Sequence, residues 1–117
     1  IDIHRQKQEA YMARRREPVE IKIVAVETKN SGMIVATSKE DGNLAGQMIF
    51  AINNEHLITL KHTLVEGDYE GQGVAGKMAD FLVGYARKHQ YRVIAECSYV
   101  HAYFEKHSDE VADVWAR

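Results

Sequence analysis

Apolar and polar positions alternate through much of the chain between Pro18 and Val65. Ile21, Ile23 and Ala25 interleave with Lys22, Val24 and Val26, a period of two that predicts a strand. Met33 to Thr37 is a β-branched run after the turn-forming Asn30-Ser31-Gly32. Leu44 to Ile52 follows the hairpin signal Asp41-Gly42, and Leu57 to Val65 follows Asn53-Asn54. These runs predict an antiparallel meander of three or four strands. In the last of them, simple alternation puts Ile58, Leu60, His62 and Leu64 on one face and Thr59, Lys61 and Thr63 on the other.

The period then changes. After the polar, glycine-rich stretch Glu66 to Gly73, residues Val74, Met78, Phe81, Leu82 and Tyr85 recur at the spacing of a buried helical stripe. Arg87, Lys88 and His89 suit the negative end of that helix, which is predicted to stop near Gln90. Arg92 to Cys97 predicts a short strand, and a last helix is expected from Ser98 or Tyr99, running with a break to Trp115. Residues 1–17 hold no Gly or Pro and end at Pro18, the only proline, so they predict a helical arm. The expected layout is an arm over 1–18 and one domain over 19–117, with a meander, a glycine turn, a helix, a strand and a helix.

Composition narrows the class. A chain of 117 residues, 45% hydrophobic and 27% charged, is a globular domain without room for a second core. Fifteen Lys and Arg against 17 Asp and Glu leave a net charge of −2, so no general polyanion field suggests nucleic acid or a membrane surface as partner. Arg14, Arg15 and Arg16 in the arm read as a solvated face, the rival reading being a docking contact. The single cysteine, Cys97, allows no intrachain disulfide and no cysteine cluster for zinc, which with the lack of a membrane-length apolar run leads to an expected cytoplasmic location. The histidines show no ligand spacing, so no metal is expected.

The glycine turn Gly71-Gln72-Gly73-Val74-Ala75-Gly76-Lys77 hands a strand over to a helix, where free N–H groups and the positive end of the helix dipole favour phosphate. Gly71, Gly73 and Gly76 spell G-x-G-x-x-G, with Glu96 further on, but a polar loop precedes them and the upstream half lacks βα alternation. Gly71, Gly76 and Lys77 approximate a P-loop, yet Met78 replaces the hydroxyl residue that would hold magnesium. The third pattern, [QR]-x-x-G-x-[GA], is met at Gly73 and Ala75 and departed from at Glu70. Here the chain resembles the GNAT N-acetyltransferase superfamily, and more closely its small stand-alone members. The likeness runs from Gly42 to His107, through Ala45-Gly46, His62-Thr63-Leu64-Val65, the turn, Cys97-Ser98-Tyr99-Val100 and Ala102 to His107.

The resemblance implies an α+β fold of three layers. Its sheet is mixed and mostly antiparallel, flanked by helices, and the strand ending at Val65 splays from the strand 92–97. It implies acetyl-CoA as cofactor, with backbone groups of Gln72, Gly73, Val74, Ala75 and Gly76 on the pyrophosphate and Val65, Lys77 and Tyr103 beside the cofactor. The Glu70 departure places a carboxylate near the phosphates, which Gln72 or Lys77 would offset. The leaving-group tyrosine common in this superfamily falls at Phe104, which has no proton to give, and Tyr103 or Tyr99 needs a register shift to replace it. Cys97, at a strand end near a helix start, and His62, with an imidazole suited to neutral pH, are the catalytic candidates. For each the structural alternative is a buried thiol and a hydrogen-bonded core imidazole. The expected activity is acetyl transfer to a small-molecule amine or an exposed protein amine by a monomer or weak homodimer. The alternative is a non-catalytic acyl-CoA-binding or interaction module.

Overall fold

The computed structural model describes residues 19–117; the predicted arm lies outside them. Five strands form one sheet in the order β1 (Ile21–Glu27), β2 (Ser31–Ser38), β3 (Leu44–Asn54), β4 (Leu57–Val65) and β5 (Arg92–Ala95). The first four form the antiparallel meander, and β5 joins β4 in parallel after a crossover through helix α1 (Val74–His89). A single turn of 3₁₀ helix, Gly67–Tyr69, precedes α1, and α2 (Ser98–Lys106) follows β5.

Alternation works as the sequence predicts in β2 and β3. Ile34 and Ala36 on β2 and Met48 and Phe50 on β3 are fully buried and meet Met78, Ala79, Leu82 and Ala86 of α1 in one core. The buried stripe of α1 is narrower than expected at one edge, for Phe81 and Tyr85 are only half-buried. The second helix packs beside the first: the Tyr103 hydroxyl donates to Asp80 of α1, and Val100 and Phe104 are fully buried. Both described helices lie on one face of the sheet, so the described residues form two of the three expected layers.

Beyond Lys106 the chain does not continue as helix to Trp115. It turns, and Val93 is flanked instead by an isolated parallel bridge to Trp115, with Val93 N–H donating to Val114 O at 2.6 Å and Ala116 N–H to Val93 O at 2.8 Å. Trp115 also packs edge-on against Phe104, which fixes α2 over the end of β5.

The sheet differs from simple alternation at one point that bears on the site. Ile49 pairs with His62 and Phe50 with Leu60, so Lys61 is an extra residue, a β-bulge. The bulge exchanges the two rows of β4. Ile58 and Leu60 face the core, but beyond Lys61 it is Thr63, opposite buried Met48, and Val65, opposite Gly46, that face it. His62 and Leu64 are thus turned outward and exposed, correcting the expectation that they share a face with Ile58 and Leu60.

Candidate functional site

The bulge coincides with the place where β4 and β5 part. Their last residue pair is Leu60 with Ala95, and Cys97 N–H makes one further bond to Leu60 O at 2.9 Å. Glu96 N–H folds back on Ile94 O, a tight bend that turns the chain away from β4 and into α2. Meanwhile β4 continues to Val65 with no β5 partner. The result is a fork with its apex at Leu60 and Cys97 and its open end at Val65.

At the open end stands the glycine turn. Gly71 and Gly73 hold φ values of 79° and 76°, a left-handed backbone that a Cβ would oppose, and Gly73 is the N-cap of α1. No side chain caps this helix, and its first ladder bond runs from Lys77 N–H to Gly73 O at 3.1 Å. The preceding N–H groups, of Val74, Ala75 and Gly76, have no carbonyl of the helix to bind. They border a cleft of about 210 Å³ lined by Val65, Tyr69, Glu70, Gly71, Gly73, Val74, Ala75, Gly76 and Tyr99. The turn is seated by Gly46 of β3, where an added Cβ would stand 3.1 Å from Val74 Cγ1 and 2.8 Å from Met78 Cε.

Of the expected cofactor residues, Val65, Gly73, Val74, Ala75 and Gly76 therefore meet around one cleft. Gln72 and Lys77 belong to the same turn but do not line it. The Gln72 amide donates to Asp68 O at 3.4 Å, and its Oε1 is buried with no hydrogen-bond partner among the described residues. Tyr103 is drawn away to Asp80, and burial together with that carboxylate pushes its pKa up to about 12. The tyrosine of α2 that does enter the cleft is Tyr99, whose hydroxyl lies 3.8 Å from where a Cβ on Gly76 would stand. Its pKa is also raised, first by burial and then by the Asp80 charge, so the phenol keeps its proton at neutral pH. Phe104 is in the core and takes no part.

The two catalytic candidates are separated. The Cys97 thiol is half-buried on the helix side of the sheet and donates to Thr63 Oγ1 at 3.2 Å. His62, on the neighbouring position of β4, emerges on the opposite face. With it at the apex are Lys61 and Glu96, whose Nζ and Oε2 lie 3.2 Å apart across the fork. The fork thus presents a thiol and a hydroxyl on one side and an imidazole, an ammonium and a carboxylate on the other. Sequence reasoning did not single out Tyr69 or the Lys61–Glu96 pair. The aromatic in a glycine loop was the available signal for the first, and only the bulge places the second.

The fold is shared with solved structures described as acetyltransferases. The fold is similar to the solution structure of a GCN5-like candidate N-acetyltransferase from Staphylococcus aureus, with 26% identity, a TM-score of 0.58, and coverage of 86% of this chain and 90% of that one. It is also similar to a ribosomal-protein-alanine N-acetyltransferase from Brucella melitensis biovar Abortus 2308, at 16% identity and TM-score 0.57 over 84% and 93% of the two chains. A GNAT family acetyltransferase from Elizabethkingia anophelis with acetyl-CoA bound matches at 11% identity and TM-score 0.56 over 79% and 75%. Among curated protein sequences none matches significantly. The family model for GCN5-related N-acetyltransferases matches residues 34–114, which takes in the bulged strand, the fork and the glycine turn, and the chain belongs to that family.

Proposed function

We propose that the chain is an acetyl-CoA-dependent N-acetyltransferase for a small or exposed primary amine. The observation that carries this reading is the uncapped N-terminus of α1, opening on a cleft that reaches Val65, the last residue of the unpaired end of β4. Of the expected run from Gln72 to Gly76, the backbone N–H groups of Gly73 to Gly76 suit a pyrophosphate, because they are donors with the helix dipole behind them and Gly71 and Gly73 leave the approach open, while the Gln72 N–H already donates to Tyr69 O at 3.4 Å. Glu70 lines the same cleft and opposes a phosphate, while Lys77 stands one turn into the helix to offset it. The unpaired edge of β4 up to Val65 offers backbone groups to an extended amide-bearing arm, as it would to an added strand.

Acetyl-CoA supplies the acyl group as an activated thioester. The chain's part is to hold it, to take a proton from the amine and to return one to the sulfur. His62 is our candidate to accept the amine proton, on the sheet face opposite the helices. Cys97, its S–H held toward Thr63, and Tyr99, kept protonated in the cleft, are the candidates to supply the proton to the leaving thiolate. The single cysteine is in keeping with the cytoplasmic location expected, and among the described residues no helix is long and apolar enough to cross a membrane.

Calorimetry with acetyl-CoA and CoA is the first test, and saturable heat at micromolar to sub-millimolar ligand is expected. No heat in that range overturns the reading. Release of free thiol in the presence of an amine panel then tests transfer, and binding without release would identify the chain as an acyl-CoA binder. Tyr99→Phe, Cys97→Ala and His62→Ala should each lower turnover by about ten- to a thousand-fold at unchanged affinity for CoA.

A further inference from the structure

We propose that Lys61 is a self-acetylation site, its side-chain amine taking the acyl group at the apex of the fork. The inference rests on acyl-CoA binding as proposed above. Three features place this amine and no other described lysine where an acyl thioester would end. Lys61 is the bulged residue, so it belongs to neither regular row of β4 and stands at the point where β5 pairing stops. Its Nζ reaches across the gap to Glu96 Oε2 at 3.2 Å. Glu96 directly precedes Cys97, whose N–H closes the apex on Leu60 O. An arm entering at the glycine turn and following the unpaired part of β4 from Val65 runs toward this apex. Five residues of extended chain span roughly 16 Å.

The ion pair does not lock the amine. The two side chains are 41% and 56% exposed, and such solvent-screened pairs hold only weakly, so Nζ leaves Glu96 readily. By contrast Lys77 sits at the open end of the fork beside the turn, and Lys22 lies on β1, the far edge strand. In the reaction the Lys61 ammonium first loses one proton to solvent. Nζ then forms a bond to the thioester carbonyl carbon, the C–S bond breaks, and the second amine proton passes to the departing thiolate. The products are acetyl-lysine, free CoA thiol and one proton, with no oxidant or reductant required. Acetylation removes one positive charge and leaves Glu96 without its partner at the apex.

The test is incubation of the full chain with acetyl-CoA, peptide mass mapping over time and, in parallel, calorimetry with CoA. Lys61 should acquire one acetyl group about ten-fold or more faster than Lys22 and Lys77, reflecting an intramolecular approach. The rate should be unchanged when the protein is diluted and suppressed by excess CoA, which leaves chance acetylation of other lysines untouched. Lys61→Arg should lose this modification and keep CoA binding. Acetylation of Lys61 no faster than of Lys22, or at a rate proportional to protein concentration, overturns the inference while CoA binding stands. Absence of CoA binding in the calorimeter instead removes the parent reading, and this inference with it.

Discussion

Gly46 sets how closely the helix that opens the cleft can sit on the sheet. An added methyl group would stand 3.0 Å from Leu64 O, backbone that cannot rotate away, as well as against Val74 and Met78. Gly46→Ala is expected to lower stability by about 1–3 kcal/mol through overpacking. It should also weaken CoA binding, since Val74 moves with the turn. Urea unfolding and calorimetry on the same variant check both, and a stability loss with unchanged affinity would show that the turn does not ride on this contact. Gly73 is a residue whose importance is legible in sequence, because it lacks a side chain where the turn motif needs close approach, whereas the packing role of Gly46 shows only in the fold. Tyr99 is not legible in that way. Matching along the last helix puts the usual tyrosine at Phe104 and leaves Tyr103 and Tyr99 as equal substitutes, and only the Asp80 contact shows that Tyr103 is held elsewhere and Tyr99 is left at the cleft.

Among elements, the helices and strands follow their periodicity and caps closely, and the departures have local causes. α1 stops where Gln90 adopts φ 59°, and its N–H binds the carbonyls of Ala86 and Arg87, an ending that glycine makes without steric cost. Gln90→Gly should therefore raise stability by about 0.5–1 kcal/mol in urea melts, and an unchanged or lower midpoint would refute a strained cap. A period of two carries no mark of an inserted residue and so assigns His62 to the core face; nothing about Lys61 as a residue announces the bulge that turns His62 outward. The Tyr103 hydroxyl on Asp80 ties α2 to α1, and the pKa of this group is raised in the fold, mainly by burial and then by that bond. The sign follows directly. Stability from the protonated phenol is intact below about pH 10 and is lost as pH rises toward about 12, when the unfolded chain ionises first. Thermal midpoints at about pH 9 and pH 11 should fall less in Tyr103→Phe than in the parent, and an equal fall would place the alkaline weakness elsewhere.

For the whole molecule, the described residues are occupied mainly in building the sheet, the fork and the glycine turn, and the family model spans residues 34–114. If acetyl-CoA binds as proposed, a hundred-fold excess over Kd stabilises the fold by about 2.7 kcal/mol. For a domain of this size that raises the melting midpoint by roughly ten degrees. A midpoint indifferent to the ligand at that excess would count against binding to the folded state. The connectivity of the fork also predicts an order of folding. The meander joins neighbouring strands by short turns, whereas β5 must find β4 across the whole of α1, a parallel pairing between distant parts of the chain. The apex at Leu60 and Cys97 closes on that late contact, so the chain should acquire sheet before it acquires a ligand site. In refolding, recovery of acyl-CoA capture, if the chain binds it as proposed, is expected to lag recovery of the far-ultraviolet signal, and equal rates would refute this order.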